Sequence, residues 1–258
     1  MSKLFDYDLR ARRRDRAARV GPELFLLERT FADCLERIEI IGTRWKSAFL
    51  LGCPDPEWKN RLGAVAVTIA VADPGPAFGR AAGGAILVED EWDPPEGRYD
   101  LIVAIGTLDS VNDLPKALRS LASSLRPGGL LIGALSGGDT LPLLRSAMAA
   151  ADRITGQAAP HVHPRIEASA LAPLLQQAGL ARPVVDVDRV SVRYLSLRRL
   201  VGDLRAMGAT NLLDQRSKHY LGKSALAQAE ADFARSASDD RSTETFEILH
   251  FAAWKPDR

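Results

Sequence analysis

The chain has 258 residues, of which 46% are hydrophobic and 26% are charged, a balance typical of a soluble globular protein with one large domain or one domain and a lid. Its formal net charge of +1 gives no overall attraction to nucleic acid or to a membrane surface. Two cysteines form neither a disulfide framework nor a zinc site, and no apolar run is long enough to span a bilayer. We therefore expect a cytoplasmic protein, and the abundance of Ala, Arg, Gly and Leu suits a GC-rich bacterial genome.

The N-terminal segment is rich in arginine. Residues 9–19 are predicted to form a helix that Asp6 or Asp8 caps and that ends at Gly21-Pro22. Its arginines have two interpretations: a solvated basic helix face, or an arm that binds a ligand carboxylate or an acidic partner. Apolar residues at helical spacing then predict an amphipathic helix over residues 23–40, packed on the main domain.

Strands and helices alternate along the rest of the chain. Helices are predicted at residues 57–62, 113–125, 140–153, 169–178, 197–207 and 224–235. Strands are predicted at residues 48–51, 64–72, 85–88, 99–105, 130–135, 183–194 and 244–254. The valine-rich second strand suits burial on both faces of a sheet. This alternation predicts a mainly parallel sheet with helices on both faces.

Two features at strand ends indicate a ligand site. The first strand stops at Gly52, and open α/β sheets bind ligands just beyond such strand ends. The second strand ends at Asp73, about 20 residues later, which is the spacing of an acid that accepts hydrogen bonds from a ribose. The alternative for Asp73 is a turn-forming residue before Pro74.

Motifs along nearly the whole chain carry a family resemblance. They are Phe5-Asp6-Tyr7-Asp8-Leu9, Arg16-Ala17-Ala18-Arg19, residues 99–102, 111–115, 125–129, 131–141, 160–164 and 202–211, and Trp254-Lys255. In these motifs the chain resembles class I methyltransferases that depend on S-adenosylmethionine (SAM). It resembles the branch that contains the mitochondrial complex I assembly factor of methyltransferase fold, and it is similar to the biotin-pathway malonyl-carrier-protein methyltransferases.

The resemblance implies a fold and a domain organisation. The fold is an α/β, Rossmann-like class I methyltransferase fold, with a seven-stranded, mostly parallel sheet whose last strand is antiparallel. We expect an N-terminal helical arm over residues 1–43 and a methyltransferase-like domain over residues 44–258. Residues 189–235 are expected to form a lid insertion in the C-terminal half.

The resemblance also implies a SAM site at the ends of the first four strands. The implied cofactor-binding positions are Leu51, Gly52, Cys53, Asp73, Pro74, Glu89, Asp90, Ile105 and Gly106. Glu89 or Asp90 is expected on the adenine side, and the loop at Gly106 is expected to close on the methionine part. The arginine helix is expected to cover the cofactor, with Arg19 as a candidate partner for a carboxylate.

The first SAM motif departs from the family pattern. Leu50 stands where relatives place an acid, and Pro54 and Pro56 stand at flexible positions. Because proline lacks an N–H and fixes φ near −65°, neither proline can donate to a ligand. Only Gly52 remains for close approach of the backbone to a cofactor. The motif is degenerate, and SAM binding is the question on which the activity depends.

Three functions follow as hypotheses. The first is a SAM-dependent methyltransferase that acts on a protein or a carboxylate acceptor. The alternatives are a complex I assembly factor that hydroxylates a protein arginine, and a non-catalytic pseudo-methyltransferase that binds a protein partner such as a respiratory complex I subunit. No catalytic residue is assigned, no metal site is expected at His161 or His163 between their flanking prolines, and a nucleic-acid partner is not expected.

Overall fold

A computed structural model describes residues 3–257. Its helices are α1 (Tyr7–Val20), α2 (Phe25–Ile41), α3 (Glu57–Leu62), α4 (Pro76–Ala81), α5 (Leu114–Ser124), α6 (Pro142–Thr155), α7 (Ala168–Gln177), α8 (Leu197–Ala206) and α9 (Lys223–Ala234). Its strands are β1 (Trp45–Leu51), β2 (Ala66–Asp73), β3 (Ala85–Ile86), β4 (Tyr99–Ile105), β5 (Leu125–Ser136), β6 (Ala181–Tyr194) and β7 (Ser242–Trp254).

The seven strands form one sheet in the order β3-β2-β1-β4-β5-β7-β6. The first five strands are parallel, and β7 runs antiparallel to both β5 and β6. Successive side chains of a strand point to opposite faces. Phe49 and Leu51 of β1 accordingly join one apolar core, while Ala48 and Leu50 join another on the opposite face. The seven-stranded fold with helices on both faces is confirmed.

Two strands differ from the sequence prediction. Strand β5 begins at Leu125, so the predicted helix stop at residues 126–129 lies inside the strand and causes a shift of register against β4. Gly128 makes this irregularity possible, because its φ of +72° is a conformation that favours glycine. Strand β2 is not buried on both faces: Val67 is 62% exposed, and only Ala66 and the C-terminal residues Val71–Asp73 of the strand are buried.

The N-terminal helices pack tightly on the rest of the chain. Asp6 caps α1 as predicted, its carboxylate accepting a hydrogen bond from the backbone N–H of Leu9. Helix α2 contributes Phe31 to the core beside β1, where it stacks on Trp58 with ring centroids 4.5 Å apart. Helix α1 packs against α4 and α8. The division of the chain at residue 43 and the lid at residues 189–235 stay predictions.

None of the helices within residues 3–257 is long and apolar enough to cross a membrane. The same residues contain no group of three or more His, Cys, Asp and Glu side chains arranged to hold a metal ion.

Candidate functional site

The parallel register brings the predicted loop residues together at one edge of the sheet. Leu51, the last residue of β1, lies beside Ala72 of β2 and Ala104 of β4. Gly52 follows with a φ of +83°, and a Cβ atom on it would lie 2.2 Å from the carbonyl oxygen of Ile105. The loop after β1 is therefore packed directly against the end of β4, and only glycine fits there.

Asp73 is fully buried at the end of β2, and its carboxylate accepts four hydrogen bonds from the chain itself. Oδ1 accepts from Arg14 Nε at 2.8 Å and from the Gly75 N–H at 2.6 Å. Oδ2 accepts from Arg14 Nη2 at 2.6 Å and from the Cys53 N–H at 2.9 Å. A carboxylate offers about four acceptor positions, so Asp73 has no free position for a ribose hydroxyl.

Glu89 is paired in the same way by the preceding turn of α1. Arg10 donates from Nη1 and Nη2 to the two carboxylate oxygens of Glu89, each at 2.7 Å, and also from Nη2 to the carbonyl oxygen of Thr107 at 2.7 Å. The side chains of both partners are almost completely buried. Burial alone would lower the pKa of Arg10, but the facing Glu89 carboxylate offsets it, and the pKa is raised overall.

Asp90 is held by Tyr7, one helical turn before Arg10. The Tyr7 hydroxyl donates to the Asp90 carboxylate at 2.6 Å and accepts from the Asn112 N–H at 2.7 Å. The Asp113 N–H donates to Asp90 as well, at 2.8 Å. Burial, reinforced by the neighbouring carboxylate, raises the pKa of Tyr7 above its usual value. All three acids predicted for the cofactor thus contact side chains of helix α1.

Helical periodicity places these α1 side chains in one row. Arg10 and Arg14 are four residues apart and therefore share one face of the helix. Two glycines let that face approach closely: a Cβ on Gly75 would lie 2.6 Å from Arg14 Cβ, and one on Gly208 would lie 3.3 Å from Arg14 Cα. Helix α1 is thus seated between the loop after β2 and the loop after α8.

Sequence reasoning recognised the basic helix but not the residues to which it binds. The arginine cluster was assigned either to solvent or to an external anion, whereas Arg10 and Arg14 bind acids of the same chain. The four-residue spacing of these two arginines is the signal that could have singled them out. Arg19, the predicted carboxylate partner, is exposed on the last turn of α1, where it donates to the Asp15 carbonyl oxygen at 3.4 Å.

The remaining predicted positions lie around the same strand ends. Pro74 is buried beside Asp73. Cys53 is also buried, its thiol donates to the Asp55 carbonyl oxygen at 3.2 Å, and burial raises its pKa to about 12. Gly106 has a φ of +61°, and a Cβ there would lie 2.5 Å from Leu27 Cδ2.

The residues in this arrangement do not fit SAM. Nucleotide cofactors of this fold type need an acid that accepts hydrogen bonds from the ribose, but the Asp73 carboxylate is already saturated. Arg10 and Arg14 fill the space in front of Glu89 and Asp73 with charged side chains. The loop at Gly52 is itself packed against the end of β4.

A cavity of about 110 Å³ remains open beside α1. It lies at the ends of β4 and β5, and its walls come mainly from α1, α2, the α8 region and β7. Arg165 and His163 line it from the loop before α7. His163 is buried and accepts from the Leu212 N–H at 2.7 Å through Nε2, and burial, together with nearby arginines, lowers its pKa to about 3. His163 is therefore neutral, and its hydrogen bond with Leu212 joins the loop before α7 to the loop after α8.

Residues 51–184 match the methyltransferase domain family. The chain belongs to this family. It is 35% identical over 174 residues to the mitochondrial arginine-hydroxylase NDUFAF5 of Rattus norvegicus, a stretch that covers 66% of this chain and 50% of that protein. It is 33% identical over 160 residues to the malonyl acyl-carrier-protein O-methyltransferase of Laribacter hongkongensis, covering 62% of this chain and 52% of that protein. The methyltransferase resemblance expected from the motifs is confirmed, and the chain spans about half the length of these relatives.

A solved structure supports the fold. The N-methyltransferase NodS of Bradyrhizobium japonicum, in complex with S-adenosyl-L-homocysteine, superimposes with a TM-score of 0.51 at 16% identity, covering 96% of this chain and 98% of that one. At this level of identity the likeness concerns the arrangement of helices and strands. The presence of the cofactor product belongs to that protein.

Proposed function

We propose that this chain is a non-catalytic member of the methyltransferase family that binds a protein partner, with helix α1 in the place where SAM-dependent relatives hold their cofactor. One observation carries the proposal: Asp73 already accepts four hydrogen bonds from its own chain, two of them from Arg14. The degenerate loop at Gly52 and Pro54 points the same way, because proline offers no N–H to a ligand. The resemblance to the branch with the complex I assembly factor favours a respiratory complex I subunit as the partner.

A second candidate is SAM-dependent methyl transfer to a protein or carboxylate acceptor after α1 withdraws. It is favoured by the retention of Asp73, Glu89 and Asp90 at the three positions where the family resemblance implies cofactor contacts. In this candidate α1 is a removable cover, and Arg10 and Arg14 are its two anchors. Arginine hydroxylation of a protein partner is a variant of this candidate.

Calorimetric titration with SAM separates the two candidates. We expect no binding heat from the wild-type chain up to millimolar SAM. The double variant R10A/R14A releases Glu89 and Asp73 from their ion pairs. The matched control is R12A/R19A, which removes two exposed arginines from the same helix and leaves both pairs intact.

Each outcome of the titration distinguishes the non-catalytic protein from a methyltransferase that α1 covers. Absence of SAM binding in the wild type and in R10A/R14A supports the non-catalytic proposal, provided that circular dichroism shows the variant folded. Binding in R10A/R14A but not in R12A/R19A supports the cover. Submillimolar binding by the wild type contradicts the proposal outright.

Mass spectrometry of complex I subunits from a deletion strain tests the partner. We expect complex I assembly to fall without the loss of a methyl group or of an oxygen atom from any subunit. A subunit that lacks one methyl group in the deletion strain would restore the methyltransferase hypothesis, and one that lacks an oxygen would restore the hydroxylase.

A further inference from the structure

The cavity beside α1 is lined by the guanidinium of Arg165, for which residues 3–257 supply one hydrogen-bond acceptor. Arg165 lines the cavity and donates from Nη1 to the His163 carbonyl oxygen at 3.2 Å. Its Nε is buried and has no hydrogen-bond partner among residues 3–257. A buried, unpaired donor of a charged group is costly to keep. The two other arginines in the cavity wall, Arg10 and Arg14, are paired with Glu89 and Asp73.

The rest of the cavity wall is mainly apolar. Its apolar part includes Leu26, Leu135, Leu204, Phe246 and Ile248. The cavity is partly open to solvent, and Ala209 in its wall is exposed. A cavity with apolar walls and one unpaired cation fits a ligand with an apolar chain and a single negative group.

The geometry points to a binding site for an organic carboxylate with an apolar chain, in which Arg165 receives the carboxylate. Guanidinium pairs with a carboxylate through two parallel N–H···O bonds, and such charge-assisted bonds are strongest where water is excluded. This site goes beyond the proposed function, because Asp73, Glu89 and Asp90 are not part of its wall; it shares only Gly106 with the predicted cofactor positions. The carboxylate is bound and is not chemically changed.

Asp109 is the opposing charge in the cavity. Burial lowers the pKa of Arg165 and of Arg10, and the negative charge of Asp109 acts on both in the opposite direction. Among residues 3–257, however, Asp109 forms no ion pair with either arginine. The nearby Arg145 acts in the opposite direction and helps to lower the pKa of Arg165. A ligand with a positive group would choose Asp109 instead, so the test includes one.

Calorimetric titration with three ligands that share an eight-carbon chain tests the carboxylate site. The ligands are octanoate, octanamide and octylammonium. We expect octanoate to bind the wild-type chain at least about tenfold more tightly than octanamide, the scale of one charge-assisted pair. In R165Q this preference should fall to about one, while R165K should keep part of it. The control R119Q removes an exposed arginine on α5 and should keep the full preference.

A measurement on the wild type alone guards against misfolding of R165Q. Octanoate should shift the backbone amide resonances of Gly106, Ser110 and Ala209, which surround the cavity. Equal binding of octanoate and octanamide, tighter binding of octylammonium, or shifts confined to other parts of the chain would each overturn the carboxylate site. None of these results bears on whether SAM binds, so the two proposals fail separately.

Discussion

Replacing Arg14 with methionine tests whether α1 is a structural part of this chain. The substitution keeps an apolar stem of similar length but removes both hydrogen bonds to Asp73, at 2.8 and 2.6 Å. Because the Asp73 side chain is 0% exposed, water cannot replace the lost donors. The variant therefore leaves a buried carboxylate with only its two backbone donors, from Cys53 and Gly75.

The expected loss of unfolding free energy follows from the burial of the Arg14–Asp73 pair. Breaking a buried ion pair by removing one partner costs about 3–5 kcal/mol of unfolding free energy. The two remaining backbone hydrogen bonds place Arg14→Met at the lower end, about 3 kcal/mol. In a chain of this size each 1 kcal/mol lowers the melting temperature by about 2–4 °C, so we expect a decrease of about 6–12 °C.

Urea unfolding followed by circular dichroism measures this loss. The control Arg29→Met removes a similar pair, with Asp188, whose arginine side chain is 58% exposed, and should cost at most about 1 kcal/mol. The double variant R14M/D73N should recover part of the loss, because it no longer buries an unpaired charge. If Arg14→Met costs no more than Arg29→Met, the Arg14–Asp73 pair does not anchor α1, and α1 is not a fixed occupant of the cofactor position.

Three further outcomes are expected. Replacing Gly75 with alanine should speed tryptic cleavage within α1, because the new Cβ would lie 2.6 Å from Arg14 Cβ; unchanged cleavage on a gel time course would show that the helix tolerates the contact. The stability of the chain should fall as the pH drops from 6.5 towards 3, because the pKa of His163 is about 3 in the folded chain against a usual 6.5 and the unfolded chain then binds the extra proton. His163→Gln, which can still accept from Leu212, should weaken this dependence above about pH 5, where carboxylates stay ionised; an unchanged urea midpoint profile would contradict the assignment. Cys34 and Cys53, whose pKa burial raises to about 12, should resist iodoacetamide at pH 8 until the chain is unfolded, and labelling of the folded protein by mass spectrometry would refute this.

Local sequence signals predicted most of the fold. Helix α3 and strand β4 were predicted with the bounds that the structure has, because apolar periodicity and flanking glycine or proline define such elements locally. Where the local prediction was wrong, contacts with a distant part of the chain determine the structure. The residues at 126–129 continue strand β5 because Lys255, directly after β7, supplies hydrogen-bond partners: the Gly128 N–H donates to the Lys255 carbonyl oxygen at 3.0 Å, and the Lys255 N–H donates to the Gly129 carbonyl oxygen at 2.8 Å.

The candidate site likewise combines features that the sequence predicts with features that depend on tertiary contacts. The sequence alone determined that strands would end at Gly52, Asp73 and Ile105, because apolar runs and turn residues are short-range signals, and it indicated a basic helix before them. Only the tertiary structure decided what that helix does. Arg14 meets Asp73 across 59 residues and Arg10 meets Glu89 across 79, and no local pattern encodes which charges will face each other after burial. Since a buried charge requires a partner, the fold fills its own acid sites with these two arginines.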